Sequence, residues 1–180
     1  MNVINVYDLK DYAMINDSCS SIRGYVVMTD EHGKTLFAKN NMIVKTGRKY
    51  IKQALFNSCF SSGTYTIPEF KTIKFGNNNS VTKPEDTTLK GMIDENKLNI
   101  TTTVIKADEG DILADGSIKI IIKSDISLNN SEDIIISEAG LFFYDDSDED
   151  TADNMFSRVA FAPVTIRPKT TYILNYYIYF

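Results

Sequence analysis

A chain of 180 residues, 43% hydrophobic and 24% charged, has the makeup of a globular body with one domain and a real core. A net charge of −5 and a sequence pI near 4.9 argue against a general electrostatic grip on nucleic acid, and no apolar run reaches the roughly 18 residues of a membrane helix. Cys19 and Cys59 are too few for a disulfide framework, and MNVINVYDLKDYAMIN lacks a secretory leader's basic start, so the expectation is folding in a reducing cytosol with inert thiols.

Residues 1–20 carry scattered apolar side chains, Tyr7 and Tyr12 among them, without a sustained period. They read equally as a short helix or as an arm that docks on a partner, and they are set apart from a domain over 21–180. A hairpin follows: strand over Ile22–Asp30, a turn at Glu31-His32-Gly33-Lys34, and strand over Thr35–Val44. His32, the only histidine, falls in that turn, where a solvent-exposed role is expected.

The segment TGRKYIKQALFN (46–57) is the one helical pattern, with Thr46 placed to cap it and Tyr50, Ile51, Ala54 and Leu55 along one side. Arg48, Lys49 and Lys52 read as its solvated side. From 69 onward the chain alternates strands with polar turns. The strands are expected at Glu69–Phe75, Leu98–Lys106, Ser117–Ser127, Asp133–Tyr144, Met155–Val164 and Thr170–Phe180. About eight strands and one helix imply a mainly β, antiparallel sandwich, jelly-roll-like, since helices to connect parallel strands are missing.

The last of these strands is the most telling. In TTYILNYYIYF, Tyr172, Leu174, Tyr176, Ile178 and Phe180 form an apolar row at period two. The opposite row, which holds Tyr177 and Tyr179, is also largely apolar. A strand apolar on both faces needs a covering layer or a neighbouring chain, so Tyr177 and Tyr179, with Tyr7 and Tyr12, are the expected interface residues.

The search for chemistry finds little. There is no G-x-G-x-x-G, P-loop, H-E-x-x-H, G-x-S-x-G or zinc-spaced Cys/His set, so neither a catalytic residue nor a cofactor is assigned. The acidic run DDSDEDTAD (145–153) departs from the calcium-loop pattern, with Asp150 in the place of the turn glycine and Phe156 in that of the terminal glutamate. A solvated hairpin loop is the expectation; Asp145, Asp148 and Asp150 are the candidates should a metal bind. Glu138 stands inside the apolar IISEAGLFFY, where a carboxylate is costly unless bonded. The structural reading, a bulge beside Gly140 whose amides Glu138 satisfies, outweighs a catalytic one.

One ordered series goes further. NNMIVKTGRKYIKQALF (40–56) turns into a helix at Thr46-Gly47. IKFGNNNSVTKPEDTTLKGMI (73–93) is a strand ending at Gly76, followed by Asp86-Thr87-Thr88-Leu89. ISEAGLFFY (136–144) and a final strand rich in tyrosine complete it. Across roughly 38–180 this series resembles a family of small bacteriophage tail, baseplate and fibre-attachment structural proteins. That family places an N-x-v-x-x-x-G helix before a strand ending in G-x-G, then D-T-x-L, E-A-G-L-F and a final w-x-i-x-f strand. Here Asn77-Asn78 replace the second glycine, and Tyr176 stands where tryptophan is common.

The resemblance implies a non-catalytic β-sandwich of the virion that assembles with copies of itself or with other virion proteins, without nucleic acid or membrane contacts. Gly47, Gly76, Asp86, Thr87, Leu89, Glu138 and Gly140 are its motif residues. Within it, Asp86 and Thr87 are expected to close a turn by side-chain bonds, and Leu89 to plug into the sandwich. The alternatives are a carbohydrate-binding module contacting host glycans, and a carboxylate glycosidase.

Overall fold

The computed structural model describes residues 22–60, 70–105, 119–129, 131–143 and 155–179. Its strands are β1 (Arg23–Asp30), β2 (Thr35–Ile43), β3 (Phe70–Gly76), β4 (Leu98–Ile105), β5 (Lys119–Leu128), β6 (Ile134–Phe143), β7 (Met155–Ile166) and β8 (Tyr172–Tyr179). One helix, α1 (Lys45–Phe60), follows β2, and a 3-10 turn at Glu95–Lys97 precedes β4. The expected hairpin, helix and later strands are all present, with ends that shift by up to three residues, the largest shift being the helix end, which lies at Phe60 and not at Asn57. No helix among the described residues is long and apolar enough to cross a membrane.

All eight strands join one antiparallel sheet in the order β3-β6-β7-β2-β1-β8-β5-β4. The edge strands β3 and β4 approach each other without pairing, so the sheet is nearly closed into a barrel. β2 is the hinge. Its first part pairs with β1, and its last two residues, Met42 and Ile43, pair with Arg158 and Ser157 of β7. Near-closure leaves only short exposed edges, which limits strand-to-strand aggregation.

Alternation sets the core. In β8, Tyr172, Leu174, Tyr176 and Ile178 are buried while Ile173, Asn175, Tyr177 and Tyr179 are half-exposed. Val26 and Met28 of β1 and Ile122 and Ile126 of β5 face the same interior. Ile73, Phe75, Ala139, Leu141 and Phe143 close it from the other half. An aromatic cluster fills the end next to α1: Phe143 stacks on Phe70 at 4.9 Å between centroids and meets the edges of Phe156 and Tyr50.

The turn at 31–34 obeys its residues. Gly33 has φ 78°, and the Asp30 carboxylate accepts from the amides of His32 (3.0 Å) and Lys34 (2.9 Å). The expected cap of α1 is corrected. Thr46 lies inside the first turn, because the helix starts at Lys45. Tertiary carbonyls answer the amides there: Lys45 N donates to Pro84 O (2.8 Å) and Val44 N to Phe156 O (3.1 Å).

Gly47 belongs to the same junction. A Cβ there would collide with the Phe156 carbonyl oxygen and lie 2.8 Å from the Phe156 ring. Alanine normally gains about 1 kcal/mol over glycine inside a helix. Against a backbone oxygen, overpacking of about 1–3 kcal/mol wins. Gly47→Ala is therefore expected to lower the urea midpoint, whereas Lys49→Ala on the exposed side leaves it nearly unchanged.

The sheet has two unlike ends. The strand ends at Arg23, Phe70, Ile105, Lys119, Phe143, Met155 and Tyr179 gather at one of them, where segments 1–21, 61–69, 106–118 and 144–154 attach. The short connections 31–34, 129–133 and 167–171 occupy the other.

Candidate functional site

Two features stand out: a buried charged network on the β3–β6–β7 half and an open aromatic face on the β1–β8–β5 half. The network begins with Glu138. It pairs with Gly76 on one side and Ala160 on the other, just past a register break after Ile136, so the sequence expectation of an irregularity there is met. Its side chain is fully buried on the face of the sheet away from the main core. One carboxylate oxygen accepts from Gly91 N (2.6 Å), the other from Lys90 N (3.1 Å) and Arg158 Nε (2.7 Å). The amides that satisfy Glu138 thus come from a loop nearly fifty residues away, not from the bulge itself.

Arg158 is the hub. It is completely buried, and besides Glu138 its guanidinium donates to Asp86 Oδ2 (2.9 Å) and Ser80 Oγ (3.3 Å). Asp86 also accepts from Lys83 N (2.9 Å) and pairs with Lys90 Nζ (3.1 Å). Each buried charge meets opposite charge and oriented donors, the condition for tolerating charge away from water. Nearby, buried Lys74 reaches Glu95 at 2.8 Å and lies 5.3 Å from the Phe142 ring centroid.

The motif residues converge on this network. Gly76 lets Glu138 and the loop close in: a Cβ there would strike the Glu138 carboxylate and sit 2.7 Å from Gly91 O. Leu89 is buried, but not in the interior where it was expected: it joins a small cluster with Val44, Phe142 and Met155 on the outer side of β6 and β7, separate from the main core. Gly140 lies under it, with its Cβ position 3.1 Å from Leu89 and 3.3 Å from Met155. Asp86 closes its turn as expected, but Thr87 is exposed and makes no side-chain hydrogen bond among the described residues. Together the loop 77–94 is stapled over the sheet.

Sequence reasoning missed Arg158. The signal was available: it interrupts MFSRVAFA as Glu138 interrupts IISEAGLF, and two opposite charges in two apolar strands are candidates to pair.

Burial pushes the Asp86 carboxyl up, but the Lys83 amide, Lys90 and Arg158 outweigh it and hold the group below the usual carboxylate range. A depressed folded-state pKa contributes stability that is present above the unfolded value of about 3.9 and lost as pH falls through the folded one. Wild type is therefore expected to lose melting temperature more steeply below about pH 4 than Asp86→Asn, which has no such proton to take up. Equal slopes would remove Asp86 from the acid response.

The second feature is the outward row of β8. Register places Tyr177 between Tyr25 and Ile121, and Tyr179 between Arg23 and Lys119. The rings of Tyr25 and Tyr177 are 6.5 Å apart. Partial burial raises the pKa of both Tyr177 and Tyr179, helped by the neighbouring tyrosines. Whereas the loop 77–94 covers the outer side of β6 and β7, no described element covers this face.

The remaining candidates separate. Tyr7, Tyr12, Asp145, Asp148 and Asp150 lie outside the described residues, as does Phe180. His32 is exposed in its turn, on the rim of a cleft of about 530 Å³ that Lys34, Arg167 and Tyr172 also line. Asp30 in that cleft is occupied by turn amides, and Glu31 accepts from Thr171 N at 3.4 Å. Among the described residues no group of three or more His, Cys, Asp or Glu is placed to hold a metal ion. Compared with known proteins, the chain matches no protein-family model, no curated protein and no solved structure.

Proposed function

We propose that the chain is a virion structural protein, an assembly module of a phage tail, baseplate, collar or fibre joint that acts through protein–protein contacts. The observation that carries this reading is the face, covered by no described element, on which Tyr25, Tyr177, Tyr179 and Ile121 lie side by side. Exposed aromatic patches of this kind are typical of binding surfaces, and aromatic anchors supply much of an interface's energy. The network around Arg158 adds support of a different kind. Glu138 is fully bonded and buried, so it serves as a fastener for the motif loop. Within this reading the two halves of the curled sheet, hinged at β2, act as the leaves of the family's sandwich.

Tyr179→Ala is expected to keep the circular dichroism and melting temperature of wild type while weakening association tenfold or more, as loss of an interface aromatic worth about 2 kcal/mol would. Sedimentation of both proteins over a range of concentrations checks it. Unchanged association would detach this face from assembly.

A carbohydrate-binding reading gains from the same placement, because three tyrosines on one open face can stack on sugar rings. Tyr177→Ala would then abolish binding on a glycan array while leaving sedimentation unchanged.

A further inference from the structure

We propose that the cleft between the parted ends of β2 and β7 binds a small sugar acid, with the ligand carboxylate on Lys34 and Arg167 and its hydroxyls on the polar groups around them. The site is separate from the tyrosine face, and the assembly reading does not enter it. Strand pairing makes the cleft. β2 meets β7 only at Met42 and Ile43, and from there toward Thr35 the two strands separate. Over 35–41 β2 pairs with β1 alone among the described strands, and over 159–166 β7 pairs with β6 alone. The rings of Phe37 and Phe161 stack at 3.8 Å and bridge the strands on the paired side of the opening. What stays open is about 530 Å³, within the range of small-molecule sites. Its lining comes from 30–36 and 163–172, at the end of the sheet opposite to the one where segments 1–21, 61–69, 106–118 and 144–154 attach.

The lining chooses the ligand. Lys34 and Arg167 have no carboxylate partner among the described residues, so an anion in the cleft meets two uncommitted donors. Buried Tyr172 fixes the Arg167 corner: its hydroxyl accepts from Arg167 N (3.1 Å) and donates to Thr165 O (3.4 Å). Asp30 and Glu31 line the cleft too, and each already accepts from backbone. Asp30 Oδ1 takes the amides of His32 and Lys34, and Glu31 Oε2 that of Thr171. Two cations against two carboxylates leave no excess for a dianion such as phosphate. A single ligand carboxylate can sit on the cations while ligand hydroxyls donate to the acids. Leu36, Pro163 and Val164 supply an apolar wall for the ring carbons. A peptide strand added to the bare edge of β7 is disfavoured, because Pro163 has no amide to pair with it.

The test is amide chemical-shift mapping on the isotope-labelled full chain, titrated separately with glucuronate, glucose and inorganic phosphate. Glucuronate is expected to move the amides of 30–36 and 164–172 with a Kd on the order of 1 mM, and glucose to bind at least about tenfold more weakly. Lys34→Gln with Arg167→Gln should weaken glucuronate binding about tenfold or more and abolish its preference over glucose. Circular dichroism and melting temperature should not change, since both side chains are exposed.

A glucuronate titration that leaves these amides unmoved overturns the proposal. Phosphate binding as tight as glucuronate overturns the choice of a sugar acid and leaves a general anion site. Equal binding of glucose and glucuronate removes the role of the cations. Nuclear Overhauser contacts from 1–21 to Leu36 or Val164 in the ligand-free chain would show the cleft filled by the protein itself, and would overturn the proposal as well. None of these results touches association through the tyrosine face, which sedimentation reads separately.

Discussion

Arg158→Met is expected to cost about 3–5 kcal/mol, a large part of the roughly 5–15 kcal/mol that holds a domain together. The arginine is fully buried and is the only guanidinium touching Glu138 (2.7 Å) and Asp86 (2.9 Å). Methionine fills much of its volume, so the loss comes chiefly from leaving Glu138 ionised and buried against two amides alone. Adding Glu138→Gln tests this directly. The amide side chain removes the unpaired charge yet keeps one oxygen to accept from Lys90 or Gly91. The double variant should therefore be more stable than Arg158→Met by itself, a coupling expected between groups in contact. Glu138→Leu in place of Glu138→Gln should not rescue, because both loop amides would lose their acceptor. With no tryptophan in the chain, urea unfolding is best followed by far-ultraviolet circular dichroism. A loss below about 1 kcal/mol for Arg158→Met would mean that the network sets geometry without contributing stability.

Tyr176 should separate packing from polarity. Its ring is fully buried between Val26 of β1 and Ile122 of β5, and its hydroxyl has no hydrogen-bond partner among the described residues. Burial drives the pKa of that hydroxyl far upward. Tyr176→Ala removes the ring and should cost about 3–5 kcal/mol through lost burial and an unfilled cavity. Tyr176→Phe keeps the ring and deletes an unsatisfied hydroxyl, so it should be neutral or raise stability by up to about 1 kcal/mol. Opposite signs for the two substitutions in thermal melts are the expected outcome. A marked loss for Tyr176→Phe would show that the hydroxyl finds a partner, a buried water for example.

The sequence displays strands such as β1, β5 and β8 because each lies half on the core, and period two is visible without knowing the partner. β6 and the first part of β7, buried on both faces, read instead as nearly continuous apolar runs. The inward and outward parities of β8, from Tyr172 to Tyr179, follow directly from that pattern. The closure of the sheet is not visible in this way. It depends on which strands pair, above all on β2 passing from β1 to β7, and that choice is made between residues more than a hundred apart. The cap of α1 escaped for a similar reason: Thr46 has the right chemistry, but the fold brings the carbonyls of Pro84 and Phe156 to the amides of Lys45 and Val44, and the helix starts one residue earlier, at Lys45.

Glu138 was legible as a carboxylate in an apolar strand. Its true partners were not, because Lys90, Gly91 and Arg158 arrive from a loop and from another strand. The open tyrosine face lies between these cases. Tyr177 and Tyr179 could be assigned outward from β8 alone, but Tyr25 joins them only through the β1–β8 register.

The most direct test of an assembly role for that face is chemical: nitration of tyrosines with sites read by mass spectrometry, in dilute and in associated protein. Tyr25, Tyr177 and Tyr179 are expected to react in the dilute chain and to be protected on association, while Tyr176 stays unreactive throughout. Undiminished nitration of Tyr177 and Tyr179 in the associated species would contradict the account.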